Sequence, residues 1–246
     1  MPNPTAAMLV IGDEILSGRT RDANLHHLSQ QFFSAGIDLK HARIVSDDHH
    51  DIVSSLNALR AAHDIVITSG GIGPTHDDIT ADAVAAAFGV AITIRADARE
   101  ILETRYQALG TELNAARLRM ARIPDTARLI ANPVSGAPGF QIGNVFVMAG
   151  VPSVFQAMLA EVMPELGGGT PMLSETLRVN LPEGDIAEPL AQIAQANPTI
   201  SLGSYPFHEA GRYGADIVLR GHDPDAIAKA KRGLGMAFQG AIAKDD

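Results

Sequence analysis

The run Ile65-Val66-Ile67-Thr68 constrains the fold most, because it is apolar, largely β-branched, and stops directly in Ser69-Gly70-Gly71-Ile72-Gly73-Pro74. A strand apolar at successive positions must be covered on both faces, which is the mark of a parallel strand between two helical layers. A glycine-rich stop followed by an amphipathic helix, Thr80 to Phe88, supplies the crossover that such a strand requires. The same grammar recurs upstream and downstream. Ala7 to Ile11, Ile37 to Val45 and Val90 to Ile94 read as strands, and Asp22 to Ala35, Ala98 to Leu109 and Glu112 to Met120 as helices. Asp48 caps a further helix carrying Ile52, Leu56 and Leu59, while Gly36 and Gly89 supply stops. Strand–helix units joined by right-handed crossovers predict a three-layer α/β/α sandwich around a mostly parallel sheet.

Beyond Ala127 the pattern changes. Asn132-Pro133 and Ala137-Pro138-Gly139 interrupt the chain, and Gly143-Asn144 between two apolar runs predicts a hairpin. Val145 to Met148 feeds Gly150-Val151-Pro152-Ser153, with Pro152 suited to the first turn of the next helix. Gly167-Gly168-Gly169-Thr170-Pro171 reads as the domain boundary, with residues 1–168 in one domain and residues 169–246 in a small α+β domain of βαββα order.

In an open parallel sheet, ligands bind beyond the carboxyl ends of the strands. Three of those ends carry paired acids: Asp13 and Glu14, Asp47 and Asp48, Asp77 and Asp78. Converging carboxylates suit a hard divalent cation such as Mg²⁺, Mn²⁺ or Co²⁺. Each acid can equally cap the helix that follows, the reading favoured for Asp22 and Asp48, whereas Asp13 and Asp78 read as site residues. Asp13, Asp48 and Asp78 are the metal-ligand candidates, and Asp13 and Asp78 also the catalytic ones. Gly70, Gly71 and Gly73 let the backbone approach a ligand, and with Pro74, Thr75, His76 and Asp77 they make the strongest local signal for phosphate binding. The loop lacks the Gly-Lys-Ser/Thr ending of a P-loop, and it follows the third strand rather than the first, unlike a dinucleotide fingerprint. Gly150, Pro152 and Ser153 form a second strand-end-to-helix candidate for the same ligand.

Composition narrows the partner. A formal net charge of −9 with no run of Lys or Arg argues against nucleic acid, as do the absence of Trp and an aromatic content of 4%. The absence of cysteine excludes disulfides and thiolate chemistry. No stretch approaches the roughly 20 apolar residues of a membrane span. The opening Met1-Pro2-Asn3-Pro4 carries no basic segment, so a cytoplasmic location without membrane attachment is expected.

Four spaced motifs carry a family resemblance. They are Gly12-Asp13-Glu14-Ile15-Leu16-x-Gly18 with Asp22-x-Asn24, Gly70-Gly71-Ile72-Gly73-Pro74-Thr75-x-Asp77-Asp78-x-Thr80, Asn132-Pro133-Val134 with Ala137-Pro138-Gly139-Phe140, and Gly150-Val151-Pro152. From about Met8 to Leu166 the chain resembles the CinA N-terminal family (competence/damage-inducible protein A), a branch of the MoaB/MogA molybdopterin-binding superfamily. The resemblance implies the molybdopterin-binding fold, Asn24 among the ligand-binding residues, and self-association into a homo-oligomer. In this branch it implies a metal-dependent pyrophosphatase acting on ADP-ribose-like or FAD-like dinucleotides. Related domains are joined to FAD synthetase in eukaryotes. A non-catalytic molybdopterin-binding protein is the alternative, and an adenylyltransferase like the MogA side of the superfamily a third. Longer members carry an amidase domain, whose activity is not expected in this chain.

Overall fold

The computed structural model describes residues 2–209 and 211–242. The chain divides into two compact units, Met1–Gly169 and Thr170–Asp246.

In the first unit the elements run β1 (Thr5–Ile11), α1 (Asp13–Leu16), α2 (Asn24–Ala35), β2 (Asp38–Val45), α3 (His49–Ala62), β3 (Ile65–Ser69) and α4 (Thr80–Phe88). They continue through β4 (Ile92–Ile94), α5 (Ala96–Ala108), α6 (Ala115–Leu118), β5 (Arg122–Pro124), β6 (Arg128–Ile130), β7 (Gly139–Ile142), β8 (Val145–Met148) and α7 (Pro152–Val162). Six strands form one sheet in the order β2-β1-β3-β8-β7-β6. The β1–β2, β1–β3 and β3–β8 pairs are parallel, and β7 is antiparallel to both its neighbours. The hairpin from β7 to β8 turns at Gly143, whose φ of 55° explains the glycine there.

Period-two alternation divides the core. Along β1, Ala7, Leu9 and Ile11 join a cluster with Ile52, Leu56 and Leu102, whereas Ala6, Met8 and Val10 join Leu28, Phe32 and Phe155. One face is thus covered by α3, α4 and α5 and the other by α2 and α7. Every position of β3 is buried, as expected for a strand between two helical layers. The edge strand β2 is largely exposed and carries Lys40, His41 and Arg43, charges that discourage pairing with another chain.

Two elements differ from the sequence expectation. The fourth strand contracts to β4, which pairs antiparallel with β5 in a separate ribbon rather than entering the main sheet. Two of its three positions are exposed, so it has no double-faced apolar surface to bury. The helix expected over Glu112 to Met120 contracts to α6 and a 3₁₀ turn, Arg119–Ala121. Asn114 explains the late start: its side-chain oxygen accepts the Arg117 N–H at 3.0 Å, a capping bond that competes with helix through that residue.

The second unit comprises β9 (Leu173–Val179), α8 (Glu183–Ala196), β10 (Ser201–Glu209), β11 (Arg212–Gly221) and α9 (Pro224–Ala237). Its antiparallel sheet has the order β10-β11-β9, over a core of Val179, Ile186, Ile217, Leu219, Ile227, Leu234 and Phe238. After α9 the chain returns to the edge of β9, where the Asn180 N–H donates to the Ala241 carbonyl at 2.8 Å and Val179 bridges Ile242. That edge is where a split βαβ domain places its last strand, and among the described residues one bridge is formed there. Among the described residues no helix is long and apolar enough to cross a membrane.

Candidate functional site

From β1 the chain passes to β2 on one side, then crosses to β3 on the other, so the carboxyl ends of β1 and β3 flank a topological switch point. A cavity of about 370 Å³ opens there. Gly12 and Glu14 line it after β1, Asp47 after β2, Gly70 to Gly73 with Asp77 and Asp78 after β3, and Gly150 and Val151 after β8. Met120, Asn132, Ser135 and Ala137 complete the wall.

The glycines permit close backbone approach. Gly70 has φ 109°, and a Cβ there would lie 2.1 Å from the Ile11 carbonyl oxygen. A Cβ on Gly150 would lie 3.2 Å from the Gly70 Cα, so the ends of β3 and β8 also meet through backbone. Asp78 braces the loop: one carboxylate oxygen accepts the Thr75 N–H at 2.8 Å and the Thr75 hydroxyl at 2.5 Å. A Cβ on Gly73 would stand 2.6 Å from that oxygen. The Thr80 N–H donates to the Gly71 carbonyl at 3.0 Å and fixes the loop to α4. Among the described residues, the N–H groups of Gly71, Ile72 and Gly73 meet no acceptor, leaving three donors in the cavity wall.

The opposing wall is acidic. Asp47 accepts the Asp13 N–H at 3.0 Å. Burial raises the pKa of its carboxyl above the ordinary range, reinforced by repulsion from Asp13, Glu14 and Asp77, against the lowering effect of that bond. The Glu14 carboxylate folds over Gly12, where a Cβ would fall within 2.5 Å of it.

Asn24 stands behind the site at 2% exposure. Its amide nitrogen donates to Ser69 Oγ and to the Gly150 carbonyl, each at 2.7 Å, tying α2 to the ends of β3 and β8. Asn24→Ala leaves the buried Ser69 hydroxyl and the part-buried Gly150 carbonyl without their donor, and each loss at a buried group costs about 1–3 kcal/mol. A loss of about 2 kcal/mol in unfolding free energy by urea titration is therefore expected, and an unchanged midpoint would rule out the clamp.

Of the expected site residues, Gly70, Gly71, Gly73, Asp77, Asp78 and Gly150 line the cavity. Pro74, Thr75, Pro152 and Ser153 lie outside its lining, and Asn24 lies behind it. The His76 side chain is 99% exposed, with its ring 3.8 Å from Asp77. The triple Asp13, Asp48 and Asp78 is not assembled. Among the described residues the one close group of metal-ligating type is exposed Asp48, His50 and Asp51. Asp47 takes the cavity position instead, in the bend beyond β2, while Asp48 is committed to α3. Asp48 accepts the Asp51 N–H at 3.0 Å as the cap of α3. Asp22 likewise accepts the Leu25 N–H at 2.8 Å. Glu14 rather than Asp13 belongs to the lining, both lying in the first turn of α1. Met120 and Ser135 carry no signal that local spacing could reveal, whereas Asn132 stands in one of the four family motifs without being singled out as a site residue.

Residues 7–168 match the family described as "Probable molybdopterin binding domain", and residues 171–246 match the middle domain of FAD synthase. The chain belongs to the CinA N-terminal family, within the molybdopterin-binding-domain family. A CinA-like protein of Citrifermentans bemidjiense is 42% identical over 167 residues, 66% of this chain and 40% of that protein. A protein of Pyrococcus furiosus is 33% identical over 242 residues, covering 92% of this chain and 93% of its own length. The crystal structure of the protein CinA of unknown function from Thermoplasma acidophilum is 32% identical, with a TM-score of 0.61 over 66% of this chain and 99% of that one. This chain spans 40% and 51% of the length of the CinA-like proteins of C. bemidjiense and Desulfosudis oleivorans.

Proposed function

We propose that this CinA-family cleft binds a phosphorylated pterin or nucleotide and, with a divalent cation, hydrolyses the pyrophosphate of an ADP-ribose-like or FAD-like dinucleotide. The observation that carries this reading is one cavity lined both by the free N–H groups of Gly71, Ile72 and Gly73 and by the carboxylates of Glu14 and Asp47, with Asp77 and Asp78 on the glycine loop itself. Free backbone donors at a strand end leading to a helix suit phosphoryl oxygens. Acids alone would repel them.

The residues fit a divalent cation by their chemistry, since carboxylate oxygens are the hard donors that Mg²⁺ or Mn²⁺ takes. Burial first, and repulsion from Asp13, Glu14 and Asp77 after it, raise the pKa of Asp47, and a bound cation would relieve that repulsion. Asp47 and Glu14 would hold the ion, with Asp78 or Asp77 approaching from the glycine loop. When bound, the ion supplies Lewis-acid neutralisation of the diphosphate charge. The loop N–H groups orient the phosphates, and the carboxylate of Asp78 left over from its Thr75 bonds can accept a proton from water. Similarity of the second unit to a FAD synthase domain supports a nucleotide ligand, and the molybdopterin-binding family supports a pterin.

The test is incubation of the purified protein with ADP-ribose or FAD and Mg²⁺, Mn²⁺ or Co²⁺. Cleavage of ADP-ribose with one water to AMP and ribose 5-phosphate, abolished by chelator, is expected. The apolar wall of Ile72, Met120, Val151 and Val154 also favours a second reading, a pterin-binding protein without turnover. Saturable pterin binding with no cleavage of either dinucleotide would establish that reading. AMP transfer from ATP to the pterin would instead establish an adenylyltransferase.

A further inference from the structure

Beside the main cleft, along the glycine loop, lies a second and much smaller cavity of about 20 Å³ whose lining lacks Glu14 and Asp47. It shares Gly71, Ile72, Gly73, Asp78 and Met120 with the main cleft, so the two spaces meet along the loop. Its remaining wall includes Arg119 and Arg122. Arg122 is held by Asp82 through one terminal nitrogen, yet its buried Nε has no hydrogen-bond partner. The Nε of Arg119 is buried and unpartnered too, and among the described residues the Arg119 side chain makes no hydrogen bond or ion pair, its bonds being those of its backbone. Buried polar groups are ordinarily paired, and a guanidinium remains charged in any protein environment. Two such donors with nothing to donate to, lining one small space, mark a place for an acceptor that comes from outside the chain.

The size of the space restricts that acceptor. About 20 Å³ admits one or two oxygen-sized atoms and excludes a ring. Oxygens of a phosphoryl group meet both conditions, since guanidinium recognises them by charge-assisted bonds. We propose that Arg119, with Arg122 beside it, forms an anion subsite for one phosphoryl group of a diphosphate whose other phosphoryl group sits on the glycine-loop N–H groups. The cleft thereby selects diphosphates over monophosphates. The proposal rests on the phosphate-binding reading of the main cleft and adds to it the residue that counts phosphates.

Calorimetric titration with ADP and with AMP tests it in the wild type, Arg119→Ala and Arg119→Lys. The wild type is expected to bind ADP more tightly than AMP. Arg119→Ala should weaken ADP binding about 10-fold or more, the range for a lost charged hydrogen bond, while AMP binding changes little. Arg119→Lys should recover part of the loss. ADP affinity unchanged in Arg119→Ala, or ADP and AMP weakened equally, would overturn the subsite and leave the cleft reading standing. A second measurement, independent of turnover and of any variant's folding, is phenylglyoxal modification of the wild type followed by peptide mass analysis. Inorganic pyrophosphate should protect Arg119 more than inorganic phosphate does. Protection without any nucleotide cleavage would keep the subsite and remove the hydrolase reading. Equal modification with and without pyrophosphate would remove the subsite whatever the cleft hydrolyses.

Discussion

Asp78→Asn is expected to keep the fold and lower cation-stimulated cleavage of ADP-ribose about 100-fold or more. The loop geometry makes this a clean substitution. An amide oxygen can still accept both Thr75 bonds, made at 2.8 Å and 2.5 Å, so Gly73 keeps its packing partner. What disappears is the negative charge: an amide is a poorer ligand for a hard cation and cannot take a proton from water. If the carboxylate served only as a brace, the change would cost about 1 kcal/mol of stability, as for a lost helix cap, with little change in rate. Steady-state rates together with a thermal melt separate the two roles. Full activity in a correctly folded Asp78→Asn protein would assign Asp78 to the brace and transfer the chemistry to Asp47 and Glu14.

Gly70→Ala should be the most damaging of the small substitutions, lowering unfolding free energy by about 3 kcal/mol or more. Two effects combine. A φ of 109° is a conformation that side chains rarely adopt, costing about 1–3 kcal/mol alone. The new methyl would also sit 2.1 Å from the Ile11 carbonyl oxygen, which belongs to the strand paired with β3 and cannot swing aside. Gly89→Ala is the matched control. Its φ is 66° with open space where a Cβ would go, so only the left-handed penalty of about 1 kcal/mol remains. Denaturant titrations in which both variants lose the same stability would show that the Gly70–Ile11 contact does not hold the strand ends together.

The parts of this fold governed by local rules are legible in the sequence. β3 shows itself by its unbroken apolar run, α4 by its limits at Thr80 and Phe88 with Gly89 beyond, and α7 by Pro152 in its first turn. The site is legible only where one segment builds it, as with Gly70, Gly71, Gly73 and Asp78. Choosing between Asp13 and Glu14 depends on how α1, which opens at Asp13, turns its first residues, and choosing between Asp47 and Asp48 depends on Asp48 being taken up as the cap of α3, so both outcomes are set by structure beyond the strand ends. Arg119 and Ser135 arrive through tertiary packing across long stretches of chain, so no local period announces them, and the Asn132 motif does not by itself say that its side chain reaches the cleft. Asn24 shows the opposite limit: its motif is visible, but its role as a buried tie emerges only once Ser69 and Gly150 are placed beside it.

The tie made by Asn24 also has a consequence for how the protein comes into being. Its bond to the Gly150 carbonyl joins residues 126 positions apart, and closing so long a loop comes late in folding because the entropy must be surrendered before the contact is gained. A chain emerging from the ribosome has β1, β2 and β3 available while the segment carrying Gly150 is still being made. During that interval the glycine loop exists without the clamp that sets its position against β8. The nascent protein therefore acquires its framework first and its binding geometry last.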